Sequence, residues 1–215
     1  MPDMAGDGAV SVPTKRELPA SEPPARAWNR QGLAASSVFF DLKDAVLTEI
    51  AGRLRFAHAN GLTVDTVEQE DFRVPSFAAD VRGIQAQLDH GVGMVILRGL
   101  DPSAFSEADA EIIAWGLCNY LGRPLRQGIA TDRRLFTVSD RGVANTDPTR
   151  IGASAKRSAK HSDNGCLEPR PPCYIGLLCY RGASEGGEST VISARTVFDT
   201  VVRERPDLLP LYFDR

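Results

Sequence analysis

Basic charge is not in excess in this chain: 25 Lys and Arg stand against 28 Asp and Glu, a formal net charge of −3. Such a balance argues against nucleic acid or an anionic membrane as a partner, since both recruit a basic surface. No apolar run approaches the ~18 residues of a membrane span. The N-terminus also lacks the basic-then-apolar layout of a secretion signal. Four cysteines, at 118, 166, 173 and 179, have no C-x2-C or C-x4-C spacing, so a structural zinc is not expected. They read instead as small buried hydrophobes in a reducing cytoplasm, which is the expected location. Histidine is scarce, with three in the chain, His58, His90 and His161.

What is present is the composition of a soluble globular domain, 42% hydrophobic and 25% charged over 215 residues. Residues 1–35, rich in Pro, Ala and Ser with few large apolar side chains, are expected to be disordered. From Asp41 the spacing of Leu42, Val46, Ile50, Leu54 and Ala57 predicts a helix, stopped at Asn60–Gly61. A second helix is predicted through Phe77, Val81, Ile84 and Leu88, with Ser76 as N-cap. The run "GMVILRGL" reads as a buried strand. Ser106 opens a third helix with Ile113, Leu117, Tyr120 and Leu121 on its core face, and Trp115 also expected in the core. Short strands are predicted at "RLFTVS", "CYIGLLCY" and "STVIS". A last helix follows from Ser193 until Pro206 and Pro210 break it. This order, helices around one strand and then several strands, is an α+β layout.

The stretch "AKHSDNG" holds the only histidine with a carboxylate two residues away. On an extended segment His161 and Asp163 share a face, and Ser162 points the other way. An imidazole nitrogen and a carboxylate oxygen can then take two adjacent corners of an octahedral metal. With a second histidine they complete the 2-His-1-carboxylate triad of non-haem iron sites, which leaves three positions open. By itself H-x-D is a weak signal that chance and ordinary hydrogen bonding also produce.

Its surroundings carry more. Downstream, "EPRPPCYIGLLCYRGASEGGESTVISARTVFDTVVRERPDLL" joins a Pro171–Pro172 turn, an apolar strand and a Gly-Gly-Glu-Ser turn. Together with "GVGMVILRGL" and "LGRPLRQ" upstream, it resembles the TauD/TfdA family of iron(II)- and 2-oxoglutarate-dependent dioxygenases over roughly residues 92–211. The resemblance implies a distorted double-stranded β-helix, jelly-roll or cupin-like, flanked by helices. It implies Fe(2+) and O2 at the site, with 2-oxoglutarate as co-substrate. His161 and Asp163 would be the first two iron ligands. Ser189, where relatives usually have Thr, would contact the 2-oxoglutarate carboxylate, with Thr190 as its rival. The implied reaction decarboxylates 2-oxoglutarate to succinate and CO2 and hydroxylates a small carboxylate, sulfonate or amino-acid-like substrate. Asp163 favours hydroxylation over halogenation, because halogenating relatives carry a small residue there.

The family places a second histidine, and soon after it an arginine for 2-oxoglutarate, well downstream of H-x-D. Neither is found in these 215 residues. His58 and His90 sit at predicted helix C-termini, where an imidazole suits the dipole. Residues 36–215 are therefore expected to be the N-terminal portion of such a dioxygenase domain, inactive alone. Near the motif, Lys156, Arg157 and Lys160 form a basic loop; Arg157, suited to bidentate anion contacts, and Asn164 are the substrate-binding candidates. Arg195 and Arg203 are expected on the surface of the last helix. The partner expected is a small-molecule substrate, and the sequence does not specify a homo-oligomer. Two further readings stay open: a non-catalytic relative acting as a binding or regulatory partner, and a metal-independent protein whose His–Asp pair is structural.

Overall fold

The computed structural model describes residues 26–125, 133–140, 142, 158–163 and 172–212. Two short strands, β1 (Phe39–Asp41) and β2 (Ile96–Arg98), pair in parallel with Asp41 opposite Arg98. A parallel pair needs a crossover connection, and here it carries helices α1 (Asp44–Ala59) and α2 (Pro75–Asp89). Helix α3 (Glu107–Leu121) follows, then α4 (Ala194–Glu204) and a 3-10 turn over Pro206–Tyr212. The expected strand in "GMVILRGL" is present, but it is half exposed rather than buried: Ile96 and Arg98 face out and Leu97 faces in. Strand β1 was not expected. Its signal is the pair Phe39–Phe40, which the helical pattern that begins at Leu42 obscures.

The core lies where α1, α2 and α3 meet. Val46, Ile50 and Leu54 of α1, Phe77 of α2, and Ile112 and Ile113 of α3 are all buried there, with Phe72 and Val74 from the connecting loop. Each such side chain contributes roughly 1.5–3 kcal/mol on leaving water. Trp115 and Leu117 join the cluster, while Tyr120 and Leu121 pack against it half-buried. The Tyr120 hydroxyl accepts the Val74 N–H at 2.6 Å and the ring meets Phe77 edge-on, which fixes the start of α2.

The helix ends show how local chemistry sets the boundaries. At the end of α1, Gly61 takes φ +63, and the N–H groups of Gly61 and Leu62 return to the carbonyls of His58 and Ala57. This is a Schellman closure, in which a left-handed residue favours glycine. Ser106 caps α3 reciprocally with Asp109. Contrary to the sequence prediction, Ser76 does not cap α2; the cap position is Val74, with Pro75 at the first turn. Glu49 of α1 accepts both the Ser76 N–H (2.9 Å) and its hydroxyl (2.7 Å), so a tertiary carboxylate replaces the local cap.

The expected strands at 134–139, 173–180 and 189–193 do not form ladders among the described residues. Paired strands there number two, β1 and β2, a small parallel sheet beside the helices that does not by itself make up the expected double-stranded β-helix. The physical reason is that the three expected strands have no ladder partners among the described residues. Leu177 is 81% exposed and Ile175 and Val191 are also open to solvent, so these segments keep strand-like sequence without a layer to pack on. Cysteine burial is likewise corrected in part: Cys173 and Cys179 are exposed, and Cys118 is half-buried, its thiol pushed up by desolvation. Cys166 lies outside the described residues.

Within residues 1–35, the described part, residues 26–35, makes specific contacts. The Arg26 guanidinium donates to the Asp89 carbonyl, and the Trp28 indole donates to the Val92 carbonyl at 2.8 Å. No helix among the described residues is long and apolar enough to cross a membrane.

Candidate metal half-site

His161 and Asp163 lie in an irregular segment, residues 158–163, and both side chains are about half exposed. His161 Nδ1 donates to the carbonyl of Ala159 at 2.7 Å, with the Ser158 hydroxyl 3.3 Å away. That bond places the ring proton of the neutral imidazole on Nδ1 and leaves Nε2 with a lone pair. Nε2 lies 3.1 Å from Asp163 Oδ1. Two adjacent corners of an octahedron with metal–ligand bonds of about 2.1 Å are about 3.0 Å apart. The donor set therefore fits two cis positions on one metal ion. Metal-ligating histidines commonly donate the other ring N–H to a carbonyl, which is the role Ala159 plays here. Without a metal, the carbonyl of Ala159 and the Asp163 carboxylate favour the imidazolium and hold the His161 pKa above its ordinary value.

The other candidates are placed differently. Ser189 and Thr190 are exposed, in an extended stretch after the positive-φ pair Gly186–Gly187. Among the described residues no hydrogen bond joins either of them to His161 or Asp163. Arg157 and Asn164 lie outside the described residues, as does Pro171. No group of three or more His, Cys, Asp or Glu side chains able to hold a metal occurs among the described residues.

His58 is engaged elsewhere. Its Nε2 lies 2.6 Å from Asp109 Oδ1, and Asp109 Oδ2 accepts the Ser106 hydroxyl at 2.7 Å. An ionised carboxylate only accepts, so the imidazole donates. Burial would raise the Asp109 carboxyl, but the Ser106 hydroxyl, His58 and the Ser106 N–H outweigh it and hold the pKa below the ordinary value. Sequence reasoning placed His58 at a helix end but missed this partner, because the two residues are 51 positions apart. His90 is the residue that ends α2, its N–H bonded to the Ala86 carbonyl. Arg195 pairs with Asp199 along the flank of α4, and Arg203 is exposed.

A cavity of about 580 Å³ opens between residues 26–28, the end of α2, Tyr174 and the start of α4. Neither His161 nor Asp163 lines it. The Tyr174 hydroxyl crosses its wall to Asp89 Oδ1 at 2.5 Å, the bond that raises the tyrosine's pKa.

Comparison with known proteins bears on this pair. Residues 58–212 match the family described as taurine catabolism dioxygenase TauD, TfdA family. FR-33289 synthase of Streptomyces rubellomurinus is 28% identical over 187 residues, an alignment covering 86% of this chain and 53% of that protein. A taurine hydroxylase-like protein of Stachybotrys chartarum is 23% identical over 193 residues, 85% of this chain and 48% of that protein. The chain thus spans about half the length of these curated relatives.

Proposed function

Because the chain belongs to the TauD/TfdA dioxygenase family, we propose that His161 and Asp163 supply two of the three protein ligands to an iron(II) centre that works with 2-oxoglutarate and O2. The observation that carries the reading is the 3.1 Å approach of His161 Nε2 to Asp163 Oδ1, with Nδ1 already anchored on Ala159. When bound, iron supplies the oxidising chemistry, in which 2-oxoglutarate is converted to succinate and CO2 and a substrate carbon is hydroxylated. The protein's own part is to present Nε2 and the Asp163 carboxylate side by side. The Ala159 carbonyl fixes the ring through Nδ1, and Nε2 stays 3.1 Å from Oδ1. Ser189, or its neighbour Thr190, donates a hydroxyl hydrogen bond to the co-substrate carboxylate. Arg157 and Asn164 contact a small carboxylate, sulfonate or amino-acid-like substrate.

Family membership also implies a cupin-like fold. In it, residues 134–139, 173–180 and 189–193 are wall strands of a double-stranded β-helix, a placement their apolar content supports. The test of the co-substrate role is equilibrium dialysis of 2-oxoglutarate with the chain under anaerobic iron(II). Retention is expected to depend on iron and to fall several-fold in Ser189→Ala or Thr190→Ala, a hydrogen bond to a charged group being worth about 1.5–3 kcal/mol. Equal retention by both variants and the parent would remove these residues from the site.

A second reading, a non-catalytic relative that binds a partner or regulates it, is favoured by one observation. The described residues hold no third ligand within reach of the pair. That reading predicts no iron-dependent retention of 2-oxoglutarate at all.

A further inference from the structure

Helix α4 has no buried residue, and Val197 and Val202 on it are each at least 40% exposed. Apolar packing therefore does little to hold it against the rest of the protein. Its hydroxyls supply another attachment. The Ser193 hydroxyl, which also caps the helix by accepting the Thr196 N–H at 3.0 Å, donates to the Arg26 carbonyl at 2.5 Å. One turn on, Thr196 Oγ1 donates to the Trp28 carbonyl at 2.8 Å. The side chains of the same two N-terminal residues reach the other way. Arg26 donates to the Asp89 carbonyl, and Trp28 Nε1 donates to the Val92 carbonyl at 2.8 Å. Asp89 is the last residue of α2, so the guanidinium sits at the negative end of that helix's dipole.

Each of the two residues thus uses its backbone carbonyl to hold α4; the Arg26 side chain holds the last residue of α2, and the Trp28 side chain holds the loop at Val92 just after it. Other side-chain hydrogen bonds of α4 among the described residues stay within the helix, as in Arg195 to Asp199 and Thr200 to the Thr196 carbonyl. We propose that Arg26 and Trp28 form a clasp that positions α4, and with it the 189–193 stretch, on the end of α2. In this role residues 26–28 are a positioning element of the fold, although more than 150 residues separate them from α4. Its effect on Ser189 and Thr190 matters for catalysis only if the co-substrate reading above holds; the clasp itself does not depend on that reading.

The test is hydrogen–deuterium exchange, resolved by segment, on the full chain without metal or co-substrate. Thr196→Val keeps the side-chain shape and removes the donor to Trp28. Trp28→Phe keeps an aromatic ring and removes the donor to Val92. Each variant is expected to raise exchange in α4 about tenfold, the size expected for one lost hydrogen bond, and to leave α1 and α3 at the parent rates. Unchanged exchange in α4 in both variants would overturn the clasp. So would an equal rise across all four helices, because the two residues would then belong to the common core and not to a local attachment. Neither result touches the His161–Asp163 reading, which iron binding tests separately.

Discussion

Asp109 shows what a single carboxylate does when three groups converge on it. It closes the capping box with Ser106 and accepts a hydrogen bond from His58 in α1, so it joins the first turn of α3 to the last turn of α1. Asp109→Asn keeps the shape and loses the charge, and is expected to cost about 1 kcal/mol at neutral pH. The pKa of Asp109 is lowered in the folded state. Its contribution is therefore complete above the ordinary carboxylate value of about 3.9 and is lost as pH falls through the lowered value. Denaturant titrations of parent and variant at pH 7 and pH 3 check this: the gap between them is expected to narrow at the lower pH. At this scale His161 and Asp163 were legible because an i, i+2 spacing brings side chains together within one segment. The His58–Asp109 contact was not legible, since only the folded chain brings those two residues together.

At the scale of elements, the three helices of the core were readable from apolar spacing, the end of α1 from Asn60–Gly61 and the start of α3 from Ser106. What escaped was tertiary: Glu49 taking over the start of α2, and β1 pairing across a crossover of two helices. The Asp41–Arg98 pair across that ladder is bidentate, at 2.8 and 2.9 Å, and Arg98 also lies over the Phe39 ring. It is exposed, and fixes register more than it stabilises. Helix α3 gives the sharpest prediction. Gly116 lies against the ring of Phe72, and a methyl group there would run into it. Gly→Ala within a helix ordinarily stabilises by about 0.5–1 kcal/mol. Here overpacking of roughly 1–3 kcal/mol opposes that gain, so Gly116→Ala is expected to lower the thermal midpoint. A raised midpoint would mean that the ring moves aside freely. The strands predicted over 134–139, 173–180 and 189–193 do not pair among the described residues, and for a different reason: a strand is defined by its neighbour, which local sequence does not specify.

For the molecule as a whole, family membership supports the proposed reaction class, while the residues present decide how much of it these 215 residues carry out. Of the three histidines, His58 is bonded to Asp109 and His90 ends α2, which leaves His161. The 215-residue chain is accordingly predicted to release no more succinate from 2-oxoglutarate than its His161→Ala variant does. Robust, iron-dependent turnover by the parent would show that a third ligand is available. The substrate stays at the level of chemical class, since Arg157 and Asn164 lie outside the described residues. The measurement closest to the central claim is anaerobic titration of the chain with iron(II), followed by calorimetry, for the parent, His161→Ala and Asp163→Ala. The account predicts weak but saturable 1:1 binding by the parent and none by either variant. Binding by His161→Ala as tight as that of the parent would contradict it and make the His161–Asp163 pair an ordinary surface contact.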